Sequence, residues 1–370
     1  MRIAIDARFY GPNGKGLGRY VQKLIEHLEK LPHDHAFTVF LRQENWGAYQ
    51  PRDARFTKQL ANYRWYSVAE QVHMPRLLAR GRFDLVHFPH YNVPLLYRKP
   101  FVVTIHDLIV SRYPTIRAST LHPVFYRIKH AAYERVIRSA IRRAKHILTV
   151  SEYSKTVIAD TYRVPADRIT VTYEAAEPLA GTIKTELTKR FQRFQPYLLY
   201  VGNAYPHKNL DGLLRAFVMV RAKRPDLKLV LVGKMDAFYS QIRSQAQSLG
   251  LGGAAVFPGY VTDDELAAMY ANALLYVFPS FEEGFGLPPL EAMQAGVPVA
   301  CSNLSCLPEV LGDAAAYFDP HQPDDIARTA LRLVSDSNER TTLVQRGRQR
   351  AARYRWDDLA KTTLNVYTHQ

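Results

Sequence analysis

The chain is poor in cysteine, with only Cys301 and Cys306 in 370 residues. That count excludes a disulfide framework and argues against a zinc site, so both read as reduced core thiols. Long apolar runs are also missing. No stretch of 18 apolar residues occurs, which leaves no candidate for a spanning helix. The stretch Met1-Arg2-Ile3-Ala4-Ile5-Asp6-Ala7-Arg8 carries charge where a secretion signal needs an apolar centre, and a cytoplasmic protein is expected. Acidic residues are scarce in one part of the chain. Residues 1–150 hold 25 Lys and Arg against 10 Asp and Glu, whereas residues 151–370 hold 24 against 24. The whole net charge of +15 therefore falls in the first part. A solvated basic surface explains it, and so does attraction to an anionic membrane leaflet or to a phosphate-bearing acceptor. No nucleic-acid module is recognisable, and nucleic acid is not expected as a partner.

What is present is a long alternation of apolar strands and amphipathic helices. The first strand is read at Ile3–Asp6, followed by the glycine loop Gly11–Arg19 and a helix with Val21, Leu24, Ile25, Leu28 and Leu31 on one face. Further strands are read at 37–41, 84–88, 101–108, 147–150 and 169–173. Residues 42–83 read as irregular, followed by a helix rich in Arg, Tyr and Trp. A second set of strands is read at 197–201, 227–232, 255–258, 274–278, 297–301 and 314–318. The polar segment 177–195, with Pro178 and Gly181, reads as a linker. Two consecutive α/β runs imply two doubly wound parallel-sheet domains, at 1–180 and 181–353, with residues 354–370 as a last helix.

Four places carry chemistry. The run Phe278-Pro279-Ser280-Phe281-Glu282-Glu283-Gly284-Phe285-Gly286-Leu287-Pro288-Pro289-Leu290-Glu291 reads as a buried strand, an acidic glycine turn and a helix start. Backbone N–H groups at a helix N-terminus suit phosphate, and Glu283 and Glu291 beside them suit hydroxyls. An ordinary capped helix with acids in its first turn would look similar, since the dipole favours them. Lys208, in Asn203-Ala204-Tyr205-Pro206-His207-Lys208-Asn209-Leu210, precedes another helix and adds a full charge to its positive end. His106 and Asp107 end a buried strand, where open α/β sheets bind ligands. The loop ends Val232-Gly233-Lys234 and Pro258-Gly259-Tyr260-Val261 occupy equivalent positions in the second set. His87 and His90 have the spacing of a metal pair but no third ligand nearby, and are read as the wall of an acceptor pocket. Arg64, Trp65 and Tyr66 read as packing or as an acceptor or membrane face. Residues 112–146 read as one long basic amphipathic helix, packed on the sheet with a charged outer face or docked on a membrane surface.

The spacing of Glu283 and Glu291, with Gly-Phe-Gly between them and Ala295-Gly296-Val297-Pro298-Val299 after, resembles the signature of retaining glycosyltransferases of family 4. The resemblance covers nearly the whole chain and is strongest over residues 197–310. It implies the GT-B fold, two Rossmann-like domains facing a cleft, with the last helix crossing back onto the first domain. It also implies transfer of a hexose, mannose favoured, from a nucleotide-diphosphate sugar to a lipid-linked or polysaccharide acceptor, with retained configuration. By that resemblance His106, Lys208 and Glu283 are the catalytic set. Gly16, Asn203, Lys208, Gly233, Tyr260, Val261, Glu283, Gly284, Phe285, Gly286, Leu287 and Glu291 bind the donor. Lys208 would hold the leaving diphosphate, Glu283 the sugar hydroxyls, Glu291 the ribose, and Tyr260 the base. Two departures stand out: Asn203 and His207 occupy positions where many members carry arginine. The absence of any Asp-x-Asp leaves no evident metal clamp, so activity without metal or other cofactor is expected, the nucleotide sugar being a co-substrate. Peripheral contact with the inner face of the plasma membrane is the expectation attached to the basic first domain. Two rivals are a sugar-nucleotide epimerase of the same two-domain plan and a noncatalytic basic protein that binds membrane or nucleic acid.

Overall fold

The computed structural model describes residues 1–11, 15–113, 123–177 and 185–369. The described chain divides into two compact units: Met1–Glu174 with Arg355–Gln370, and Ala175–Tyr354. The first division falls at Glu174 and not at residue 180, because Glu174 is buried against His106 of the first unit. Of the segment read as linker, residues 178–184 lie outside the described residues, and a helix occupies 185–192.

The first unit holds seven strands: β1 (Arg2–Asp6), β2 (Ala36–Leu41), β3 (Phe56–Leu60), β4 (Leu85–Phe88), β5 (Phe101–Thr104), β6 (His146–Thr149) and β7 (Ile169–Val171). All pair in parallel in the order β3-β2-β1-β4-β5-β6-β7. Parallel strands covered on both faces should read as continuous apolar runs. Val86, Phe88, Val102, Val103, Ile147 and Leu148 are fully or almost fully buried accordingly. The edge strand β3 is the exception and corrects the irregular reading of residues 42–83. Only Phe56 of Phe56-Thr57-Lys58-Gln59-Leu60 is buried, so the segment has no apolar run to find.

The helices of this unit are α1 (Lys15–Leu28), α2 (Val68–Arg80), α3 (Ile109–Arg112), α4 (Pro123–Arg143) and α5 (Glu152–Tyr162). Val21, Leu24, Ile25 and Leu28 of α1 are buried on one face. The basic stretch 112–146 is not one helix: α3 ends at Arg112, residues 114–122 lie outside the described residues, and His146 already belongs to β6. The last helix of the chain, α14 (Trp356–Thr368), packs on α1 within this unit. His27 Nδ1 lies 2.6 Å from Asp357, and Tyr20 meets Trp356 edge-on.

The second unit has a six-stranded parallel sheet in the order β10-β9-β8-β11-β12-β13. Its strands are β8 (Tyr197–Val201), β9 (Lys228–Val232), β10 (Ala255–Gly259), β11 (Leu275–Phe278), β12 (Val299–Ser302) and β13 (Ala315–Phe318). Its helices are α6 (Thr185–Gln192), α7 (Leu210–Lys223), α8 (Ala237–Ser248), α9 (Asp263–Asn272), α10 (Leu287–Gln294), α11 (Leu307–Leu311), α12 (Pro323–Ser335) and α13 (Ser337–Ala351). Thr262 and Glu265 close a capping box at the start of α9. Cys301 and Cys306 are free and buried.

Candidate active site

In each sheet the strand order reverses direction at one point: between β1 and β4 in the first, between β8 and β11 in the second. Loops at the carboxyl ends of those strands diverge and leave room for a ligand. In the second unit the two loops at this point are the ones that carry Lys208 and Glu283.

Lys208 closes a short turn, Pro206–Lys208, after β8. Asn209 follows in the left-handed region, its side chain accepting from Gly212 N to start α7 and donating to Pro320 O at 2.7 Å. The turn after β11 reaches back, and Phe281 N donates to His207 O at 2.8 Å. Lys208 Nζ thereby meets Glu283 Oε1 at 2.6 Å, with 12% and 9% of the two side chains exposed. The ammonium also lies 5.4 Å from the centre of the Phe278 ring. Gly286 then takes φ 90° as the residue before α10, a left-handed conformation that side chains resist. A Cβ there would also fall 2.7 Å from Leu307. The prolines occupy the second and third positions of α10, where no intrahelical N–H is needed. Glu291 is half-buried one turn further on, and Phe285 is packed against Tyr354. Gly284 and Leu287 complete the same turn. Gly296, at φ 79°, follows the end of α10.

The arginine-like positions behave differently from arginines. His207 is largely buried, and burial with the neighbouring Lys208 charge pushes its imidazole down to about 4. It is neutral near pH 7 and adds no charge for a phosphate. Asn203 is exposed, its side-chain oxygen accepting from Tyr205 N. Lys208 is therefore the one full positive charge that the Asn203–Lys208 segment supplies. Ser280, fully buried inside the acidic turn, has a hydroxyl without a hydrogen-bond partner among the described residues.

Gly233 follows β9, its N–H donating to Gly259 O. Tyr260 is 80% exposed and Val261 half-buried. These two residues line a cavity of about 280 Å³ whose other walls include Arg190, Phe194, Phe257 and Glu265. Neither Lys208 nor Glu283 lines it, so this cavity does not join Tyr260 and Val261, expected at the base, to the Lys208–Glu283 pair.

In the first unit His106 follows β5 and is held on several sides. Its Nε2 lies 3.0 Å from Pro89 O, its Nδ1 3.3 Å from Glu174, and Tyr20 meets the ring edge-on at 4.6 Å. Burial alone would lower its pKa, but the Glu174 carboxylate and the Pro89 carbonyl raise it above the ordinary histidine value. Asp107 accepts from Ile109 N and starts α3. Gly16 is exposed inside the first turn of α1, not in the loop before it. The position that demands glycine is Gly18, where a Cβ would fall 2.1 Å from Gly11 O. Residues 12–14 of the loop lie outside the described residues.

One expectation is corrected here, and one open alternative is decided. His87 is no pocket wall: it is fully buried, with Nδ1 2.6 Å from the Tyr367 hydroxyl and Nε2 2.8 Å from Thr104. Trp65 is packing, stacked on Phe9 at 4.3 Å and with the Arg42 guanidinium 4.8 Å from its ring centre. Tyr66 is largely exposed and 3.5 Å from His90 Nδ1. Sequence reasoning also missed a buried charge cluster at the end of β1. Arg8 joins Asp6 at 2.6 Å and Glu70 at 2.5 Å, and Asn92 donates to Glu70 at 2.8 Å. An arginine two residues beyond a strand-end aspartate was the available signal. Glu174, in Thr172-Tyr173-Glu174-Ala175, offered none.

The chain matches two family descriptions. Residues 14–177 match Glycosyltransferase Family 4, and residues 185–350 match Glycosyl transferases group 1. It is 33% identical over 293 residues to the O-antigen chain mannosyltransferase B of Escherichia coli, spanning 76% of this chain and 74% of that one. It is 27% identical over 309 residues to the O-antigen chain mannosyltransferase RfbU of Salmonella typhimurium, spanning 84% and 80%. Among solved structures, that of HepE from Anabaena in complex with UDP and glucose superposes over 100% of both chains with a TM-score of 0.75 at 16% identity.

Proposed function

Because the chain belongs to the family 4, group 1 glycosyltransferases and has their GT-B fold, we propose that it transfers a hexose from a nucleotide-diphosphate sugar to a glycan of the cell envelope. The observation that carries this reading is the Lys208–Glu283 pair, set at the reversal of strand order beside the N-terminus of α10. Without a donor the two side chains satisfy each other. With a donor, the ammonium turns to the leaving diphosphate and the carboxylate to sugar hydroxyls. Charge that grows on the diphosphate is what the site must stabilise. Lys208, the helix N-terminus over Gly284–Leu287 and backbone N–H groups supply that stabilisation, while Glu291 takes the ribose and Tyr260 with Val261 the base.

Mannose carried by GDP is the favoured donor, since two relatives are named as mannosyltransferases. The configuration is retained by attack on the front face. The bond from C1 to the diphosphate breaks with its electron pair on the phosphate. The acceptor oxygen bonds to C1 on the same side, and its proton passes to a phosphate oxygen. No metal takes part in this reading, because no Asp-x-Asp occurs in the chain. The acceptor is lipid-linked or a growing polysaccharide and is chosen by the first unit. Arg135, Arg138, Arg142 and Lys145 stand exposed at helical spacing along and just after α4, next to exposed Ile128. That basic stripe supports peripheral contact with an anionic leaflet. Among the described residues no helix is long and apolar enough to cross a membrane.

The test is a thermal-shift panel with GDP, UDP, dTDP and ADP, followed by transfer from the matching sugar nucleotide with and without EDTA. A single nucleotide should raise the melting point. The product should keep the donor's anomeric configuration by NMR, and EDTA should leave the rate unchanged. An epimer formed without acceptor, or no shift with any nucleotide, overturns the reading.

A further inference from the structure

His106 has both ring nitrogens engaged, and the partners fix the protons. Pro89 O is a carbonyl and can only accept, so Nε2 carries a hydrogen. Nδ1 is paired with a carboxylate oxygen of Glu174 at 3.3 Å, and in that ion pair it carries one as well. A ring protonated at both nitrogens is an imidazolium with no lone pair.

The surroundings hold that state in place. Glu174 follows β7 and His106 follows β5, with β6 between them in the sheet. The carboxylate thus reaches the ring across the end of β6, where buried Ser154 donates to the backbone carbonyl of His106. Side-chain exposures of 17% for His106 and 9% for Glu174 weaken solvent competition for the pair. Among the described residues, the charged and titratable groups shown at the ring are Glu174 beyond β7, Asp107 on its own loop, His87 of β4, His90 beyond β4 and Tyr20 of α1. Burial pushes His87 and His90 down to about 3, so neither opposes the cation near neutral pH. Burial holds the Tyr20 hydroxyl protonated.

We propose that Glu174 is a positioning residue for the transfer, holding His106 as a fixed cation that donates hydrogen bonds and cannot act as a base. This rests on the transferase reading and deepens it: the acceptor's proton then has no imidazole to go to, and the leaving phosphate receives it. With its two N–H groups held by Pro89 and Glu174, His106 presents a fixed positive charge to substrate oxygens, and Glu174 sets both the ring's charge and its direction.

The experiment follows the His106 ring by NMR titration of the full chain, its signal assigned by loss in His106→Asn. The wild-type midpoint should lie above that of an exposed histidine. In Glu174→Gln it should fall by about one pH unit or more, the loss of one close opposite charge. Glu174→Asp keeps the charge and should keep most of the elevation. Under the same conditions, the alkaline limb of kcat/KM should move down with the midpoint in Glu174→Gln and vanish in His106→Asn. A wild-type midpoint at or below the ordinary value overturns the proposal even if Glu174→Gln fails to fold. So does an alkaline limb that stays in place while the midpoint moves. Absence of transfer by wild type with every sugar nucleotide would instead defeat the functional reading, and the titration would still decide the pairing.

Discussion

Lys208 and Glu283 meet at 2.6 Å with little solvent between them, so changing either one strands the other. A glutamine at 283 keeps size and hydrogen bonding while removing charge, and separates chemistry from packing better than alanine. Glu283→Gln and Lys208→Met should each cut kcat at least about a hundredfold, the loss of one strong transition-state contact. Steady-state rates alongside melting curves check this, and near-normal turnover in both sinks the assignment. At His207, the neutral ring leaves Lys208 without help. His207→Arg should therefore tighten nucleoside-diphosphate binding by isothermal calorimetry, and weaker binding would show that the position does not face phosphate. Lys208 and Glu283 stood out in the sequence because glycine, proline and charge stand beside them in an order that few structural needs impose. His87 was not. Its spacing from His90 resembled a ligand pair, yet what decides its role is the hydroxyl of Tyr367, 280 residues away. Glu174 was invisible for the same reason: its partner is set by sheet order and not by neighbours in the chain.

Among the elements, α14 is fastened to the first sheet by a buried relay from Tyr367 through His87 and Thr104 to Tyr20, the last step at 3.2 Å. Tyr367→Phe would leave a buried imidazole nitrogen unpaired. A loss of about 1–3 kcal/mol is expected from urea titration, with the fold retained. The same relay makes stability depend on pH. Burial depresses the folded pKa of His87 to about 3, while the unfolded chain titrates near the ordinary value of 6.5. Between those values the unfolded state binds more protons, so stability rises with pH and is lost on acidification, by up to about 1.4 kcal/mol per unit. His90 adds a second contribution of the same sign. Melting curves from pH 7 to 5 should fall less steeply in His87→Gln than in wild type, and equal slopes would refute the assignment. Element type was readable wherever both faces of a strand are covered, as in β4 and β8. It failed at β3, an edge strand with one buried side chain, and at residues 112–146, where a run of basic and apolar residues hid the end of α3.

At the scale of the whole molecule, charge is the property that sequence alone distributes: an excess of +15 with none of it beyond residue 150. If the stripe on α4 meets a membrane, binding to vesicles with anionic lipid should be strong at low salt and fall steeply near 0.5 M, where screening is short-ranged. Neutral vesicles should bind little. Replacing Arg135, Arg138 and Arg142 together with glutamine should abolish the salt-sensitive part in a sedimentation assay. Equal binding to both vesicle types would remove the membrane from the account.

The return of the chain to its first unit through α14 has a consequence for biosynthesis. The unit whose strands leave the ribosome first lacks a wall of its own core until Trp356–Thr368 has been translated. The later-made unit, Ala175–Tyr354, is continuous and can finish beforehand. A nascent chain halted before residue 355 should thus expose Tyr20, Phe37 and His87 to chaperones and proteases while its second half already resists them.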